Sequence, residues 1–244
     1  MPGHQPTTND FPSNIQLTIT PPPSLSTQPI NALILLHGLG DTNASFTSLG
    51  KQLALPETTC ISLQAPTPLP FDLGGYHWGD DIVFDQSTGQ MELDAGFEKA
   101  GKMVEKDIIQ DALIGNCGHN PRDIFLFGYG QGAMAAVVAM LSMNSLEEFG
   151  GIISIGGPVP TSSLKANQSS KTPICVLGGS TNTLITKSAL DGIKKCFEDV
   201  RYHKWERPRD GMPRNRAEMY PIMRFLASRM RSRRGVPEGS VEIG

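Results

Sequence analysis

No stretch of the chain approaches the roughly 18 consecutive apolar residues of a membrane-spanning helix. No C-x-x-C pair occurs among its four cysteines, Cys60, Cys117, Cys175 and Cys196. Neither sign of charge dominates, with 21 Lys and Arg against 24 Asp and Glu, a formal −3. These absences argue against a helical membrane span, a dithiol redox motif and nucleic-acid binding by bulk positive charge. The opening MPGHQPTTNDFPSN lacks a basic region followed by an apolar run, so no signal peptide is expected. The cysteines are read as reduced thiols of a cytoplasmic protein. Histidine is scarce: the chain has five, and none follows His203.

What is present fits one α/β domain of 244 residues, 39% hydrophobic and 18% charged. Residues 1–13 read as a flexible polar segment, 14–232 as the domain and 233–244 as a flexible tail. Ile15, Leu17 and Ile19 alternate with polar residues as in an edge strand, which the prolines at 21–23 end. Apolar runs at 32–36, 59–63, 124–127, 152–155, 174–177 and 200–205 read as further strands. Helical periodicity falls at 43–53, 95–114, from Gln131, 184–197 and 217–232, with Pro221 in the first turn of the last helix or kinking it. Residues 64–94, with "GGYHWGDDIVFD", form a long irregular segment of the functional or lid-like kind. Strands alternating with helices imply a mostly parallel sheet with helices on both faces.

One segment bears directly on chemistry. "IFLFGYGQGAMAAVVAM" reads as a buried strand, a Gly-rich turn and a helix. That is where an α/β-hydrolase presents its nucleophile as G-x-S-x-G. Here the central residue is Gly130. Three other strand ends fall where such a fold gathers its site: His37–Asp41, Gly178–Thr183 and Trp205–Asn215. "LILLHGLGD" together with "GYGQGAMAA" resembles the phospholipase/carboxylesterase family, which includes the acyl-protein thioesterases. That family's motifs read approximately HGLGD, GFSQGG, HG-x-x-D and a late G-x-x-H. The resemblance covers about residues 31–228. It implies an α/β-hydrolase fold without a separate cap and without a cofactor or metal. It also implies an oxyanion hole from the N–H groups of Leu39 and Gln131, and a ligand pocket that includes His37, Gly38, Gly40, His77, Trp78 and Tyr129.

The departures fall on the reaction itself. The resemblance puts Gly130 on the nucleophile, Asn182 on the acid and Met212 on the base, the last within about two residues. A serine hydroxyl must attack, an imidazole must carry its proton, and a carboxylate must orient the imidazole. Gly130 has no attacking group, Met212 cannot carry a proton, and Asn182 has no histidine to orient. Among possible substitutes, His37 reads first as a loop-positioning residue. His119 lies at the wrong end of the sheet, and His203 falls within the last strand. His77 is the one plausible pocket base. Ser180 and Thr181 read as a tight turn, Asp80 and Asp81 as a solvated loop or helix cap, and Arg207, Arg209, Arg214 and Arg216 as a solvated loop. The arginines at 229, 231, 233 and 234 read as the cations favoured at a helix C-terminus.

The leading expectation is an inactive pseudo-hydrolase that binds a small acyl-type ligand or a protein partner, as monomer or dimer. One alternative is an active or weakly active ester or thioester hydrolase using non-standard residues. The remote alternative is a nucleotide-cofactor binder, because Gly128-x-Gly130-x-x-Ala133 satisfies the loose G-x-G-x-x-[G/A] fingerprint. Such a site wants an acidic residue at the end of the next strand, which instead ends in Gly156-Gly157.

Overall fold

The computed structural model describes residues 4–24, 29–71, 73–84, 92–143, 147–163 and 169–233. Seven strands make the central sheet: β1 (Leu17–Thr20), β2 (Asn31–Leu36), β3 (Thr58–Leu63), β6 (Ile124–Tyr129), β7 (Gly151–Ile155), β8 (Ile174–Gly178) and β9 (Val200–Lys204). Their order is β1-β3-β2-β6-β7-β8-β9. Only β1 runs antiparallel, at one edge against β3. The other pairings are parallel. A two-stranded hairpin, β4 (Thr67–Pro68) with β5 (Tyr76–His77), stands apart.

The unbroken apolar runs follow from burial on both faces. Successive side chains of a strand alternate between faces. Ile34, Leu36 and Leu126 therefore enter one core cluster, while Leu33, Leu35, Phe125 and Phe127 enter the other. The first cluster is closed by α3 (Gln131–Ser142), which is buried from Gln131 to Leu141. A helix apolar all round belongs inside a protein. The second is closed by α1 (Asn43–Leu53) through Phe46, and by α5 (Arg216–Arg229) through Ile222, Phe225 and Leu226. Helix α4 (Lys187–Cys196) buries Ile193 and Cys196. Thr42, Thr186 and Asn215 cap α1, α4 and α5 by accepting main-chain N–H bonds.

The expected helix at 95–114 takes a different form. A short α2 (Glu98–Lys102) passes into a π-helical stretch, Met103–Asn116. Its buried residues, Val104, Ile108, Ile109, Ala112 and Leu113, recur at intervals of four and five, a spacing that suits the wider helix as well as the α form. Pro221 lies beyond the first turn of α5, which starts at Arg216. Residues 4–13 include a 3-10 turn at Thr8–Asp10, and Phe11 joins the first core cluster. The tail from 234 onward lies outside the described residues. All four cysteines are unpaired and buried. Among the described residues no helix is long and apolar enough to cross a membrane.

Candidate functional site

Strands β2, β6, β7, β8 and β9 deliver their following loops to one edge of the sheet, as parallel strands must. The turn after β6 is the sharpest. Gly130 sits at φ 53°, ψ −121°, as the residue capping α3. Its N–H donates to Ile155 O at 2.9 Å, and its carbonyl accepts from Met134 N at 3.0 Å. A Cβ built on Gly130 would meet nothing within 4 Å. The space for a side chain therefore exists, and only the backbone conformation disfavours one. The flanking glycines are tied by close approach. A Cβ on Gly132 would fall 2.3 Å from His37 O, and one on Gly128 would fall 2.4 Å from Ala133 Cα.

The loop after β2 folds over this turn. His37 is fully buried. Its Nε2 accepts from Ala65 N–H at 3.0 Å, which assigns the ring proton to Nδ1, and Nδ1–H donates to Gly38 O at 2.8 Å. Gln64 Nε2 also lies 2.9 Å from His37 Nε2. Burial holds this imidazole below its ordinary pKa, against the Gly38 carbonyl and Asp41. His37 thus positions the loop. Gly38 lies under the Tyr129 ring, where a Cβ would come within 2.7 Å of Cδ1. Gly40 N–H donates to Tyr76 O at 2.9 Å, which fixes the loop to the β4–β5 hairpin.

Trp78 is also fully buried. Its indole N–H donates to His37 O at 2.7 Å, and its main-chain N–H to Gln131 Oε1 at 3.1 Å. Gln131 Nε2 in turn donates to Leu93 O at 3.3 Å. The 64–94 segment is therefore bound to the first residue of α3, beside Gly130. His37 and Trp78 brace the loop from beneath, while Leu39, Gly40, Tyr129 and Gly130 retain exposed surface. The N–H groups of Leu39 and Gln131 have no acceptor among the described residues. His77 is buried with both ring nitrogens unpartnered among the described residues, and burial lowers its pKa.

The positions expected for the acid and base share no hydrogen bond among the described residues. Asn182 is exposed, and its main-chain N–H donates to Pro208 O at 2.9 Å. Met212 packs on the second core cluster. No hydrogen bond joins Gly130, Asn182 and Met212 among the described residues. Instead the two loops are laced together. Ser180 N–H donates to Arg207 O at 2.8 Å and Thr181 N–H to Pro208 O at 3.2 Å. Ser180 Oγ–H donates to Glu206 O at 3.1 Å.

The knot of this lacing is Asp210, a residue sequence reasoning missed. Its Oδ1 accepts from Gly179 N–H at 2.7 Å and Thr183 Oγ–H at 2.6 Å, and its Oδ2 from Leu184 N–H at 2.8 Å. A Cβ on Gly156 would strike Asp210 Cβ at 2.9 Å, so the β7 loop lies against the same side chain. Asp210 also faces Tyr129: burial first, then this carboxylate, raises the phenol's pKa, with Arg207 opposing. The sequence offered one signal, a single acidic residue inside an otherwise basic loop.

Within the basic run, Arg207 departs from the expected solvated loop, while Arg209, Arg214 and Arg216 are exposed. Arg207 stacks over Trp205 with its guanidinium carbon 4.2 Å from the ring centroid. It donates to Met212 O at 3.1 Å and to Gly211 O, and lies 3.7 Å from Glu218. Arg214 pairs with Glu218 at 3.2 Å. Asp80 caps α2, accepting from Glu98 N–H and Lys99 N–H at 2.8 and 2.9 Å. Arg231 pairs with Asp123, and Arg229 donates to Gly150 O at 3.1 Å, so these two arginines bind across the domain.

A mostly parallel sheet, a sharp strand-to-helix turn and a Gly-rich loop beside it define an α/β-hydrolase fold. The chain belongs to the phospholipase/carboxylesterase family, whose sequence pattern matches residues 23–227. It is 32% identical over 208 residues to an uncharacterized hydrolase of Schizosaccharomyces pombe, covering 82% of this chain and 83% of that one. It is 28% identical over 134 residues to acyl-protein thioesterase 1 of Saccharomyces cerevisiae, covering 51% of this chain and 56% of the relative. Among solved structures, esterase PE8 superposes with a TM-score of 0.68 at 22% identity, covering 88% of this chain and 99% of the other, a likeness of fold.

Proposed function

We propose that the protein is a non-catalytic member of its family, one that keeps the acyl-binding architecture and uses it to hold a small acyl-type ligand or a protein partner. The observation that carries this reading is Gly130, at φ 53° in the nucleophile turn and without a side chain. Three further features support it. Met212 is a half-buried methionine packed against a core cluster. Asp210, a carboxylate that faces Tyr129 of the turn, has both oxygens engaged by the neighbouring loop. The free N–H groups of Leu39 and Gln131 can still donate hydrogen bonds to a carbonyl oxygen. An oxyanion hole and binding alone leave roughly 10³–10⁴-fold acceleration over water, well short of a working hydrolase.

Hydrolysis of a short-chain p-nitrophenyl ester and of a fatty-acyl thioester tests the proposal. The ratio of release to the spontaneous rate at each pH should stay within that residual range and should not rise between about pH 6 and 8, because the turn carries no general base. A bell-shaped or sigmoidal pH–rate profile with a turnover typical of esterases would overturn it.

A further inference from the structure

A second cluster of chemistry-bearing side chains lies away from the hydrolase site. His4 Nε2, one Asp10 carboxylate oxygen and Cys117 Sγ all lie within 4.8 Å of one another. His4 Nε2 stands 3.1 Å from Asp10 Oδ1. We propose that His4, Asp10 and Cys117 form a binding site for a borderline-soft divalent metal ion of the zinc class, which fastens the 4–10 segment to the turn after the π-helical stretch.

The donor set fits that ion. Zinc takes imidazole nitrogen, carboxylate oxygen and thiolate sulfur at about 2.0–2.3 Å, in tetrahedral geometry. Ligand atoms at such radii stand about 3.3–3.8 Å apart, so a triangle with sides of at most 4.8 Å closes on an ion with small side-chain movements. Hard ions such as calcium and magnesium prefer all-oxygen shells and would not select a thiol. Three protein ligands leave the fourth position to water.

The surroundings hold the ligands in place. Asp10 Oδ2 is already committed, accepting from Thr7 N–H at 2.7 Å and Thr7 Oγ–H at 2.8 Å. That leaves Oδ1, which faces His4 Nε2, as the ligand atom and fixes the direction of the carboxylate. Asn116 Nδ2 donates to the main-chain carbonyl of Asp10 at 2.8 Å. His4 N–H donates to Cys117 O at 2.9 Å, so the main chain alone brings the imidazole to the thiol. Such supporting bonds are what a metal site needs around its ligands.

Loading exchanges one proton for the ion. The Cys117 thiol, pushed up to about 12 by burial and by Asp10, gives its Sγ–H proton to solvent as the S–metal bond forms. His4 binds through the Nε2 lone pair and keeps its ring proton on Nδ1. Binding therefore strengthens as pH rises, with one proton released per ion from Cys117.

The test uses the full chain, reduced and stripped with a chelator, and titrated with Co²⁺ alone. A near-ultraviolet thiolate-to-cobalt charge-transfer band should grow to saturation at one equivalent and vanish on adding Zn²⁺. Cys117→Ser should abolish the band. His4→Ala and Asp10→Asn should weaken binding on the order of tenfold or more. His4 is exposed, so His4→Ala leaves the fold intact and keeps the test decisive should Cys117→Ser misfold. No band at millimolar cobalt, or a band that survives His4→Ala and Asp10→Asn at unchanged affinity, would overturn the assignment.

Discussion

Replacing Gly130 by serine restores the missing hydroxyl and isolates what the turn costs. A Cβ at this position meets no atom within 4 Å, so packing neither helps nor resists the change. The cost lies in the backbone, because φ 53° with ψ −121° is a conformation that L side chains rarely adopt. A non-glycine residue held there loses about 1–3 kcal/mol. Losing glycine also restricts the unfolded chain, which offsets about 0.4–1 kcal/mol. The net expectation is a loss of about 1–2 kcal/mol, or roughly 2–8 °C in Tm for a domain of this size. The new hydroxyl finds no base at position 212, since methionine carries no titratable group and no histidine follows His203. Ester turnover should therefore stay at the background of the parent protein. Recovery should need at least Met212→His and Asn182→Asp in addition. Urea unfolding and p-nitrophenyl ester release for the single and triple variants give both readouts. A single variant more stable than the parent and clearly active would refute the account of the turn and of the base together.

Two other outcomes follow from the same geometry. Asp210→Asn keeps the side-chain shape but cannot accept three N–H and O–H bonds as a carboxylate does, so a loss of about 1–3 kcal/mol is expected in urea unfolding. In the same variant Tyr129 should titrate nearer its ordinary value, read from the tyrosinate absorbance of the parent and of Asp210→Asn; an unchanged titration would place Asp210 out of Tyr129's reach. Stability should also fall under mild acid. Burial lowers the folded-state pKa of His37, His77, His119 and His203, so the unfolded chain takes up protons near pH 6.5 that the folded chain refuses. Their contribution is complete above about pH 6.5 and is lost progressively below it. Urea midpoints that stay flat or rise between about pH 7.5 and 5.5 would contradict this.

The strands were legible because a fully buried parallel strand is a short apolar run, and β2, β6, β7 and β8 are such runs. The turn after β6 and the loop after β2 were legible because their glycines mark a sharp turn and a close backbone approach, whatever residue stands at 130. Asp210 was not, since its role depends on N–H and O–H groups that the chain brings to it from 26 to 31 residues away. Nor could the sequence tell which arginine of the 207–216 loop folds inward. That choice is made by the Trp205 ring, over which Arg207 stacks while Arg209, Arg214 and Arg216 stay exposed. The π-helical stretch was hidden because apolar residues four and five apart satisfy both helix types. Phe11 stands alone in a polar segment, with no periodicity to show that it reaches the core.

The central claim is that no nucleophile stands at the nucleophile turn. Intact-mass measurement after incubation with a fluorophosphonate tests it most directly, with an active acyl-protein thioesterase in the same tube as the internal standard. The account predicts complete phosphonylation of the thioesterase and an unchanged mass for this protein. A stoichiometric adduct on this chain, mapped to any serine or threonine, would contradict it and identify the nucleophile it lacks at Gly130.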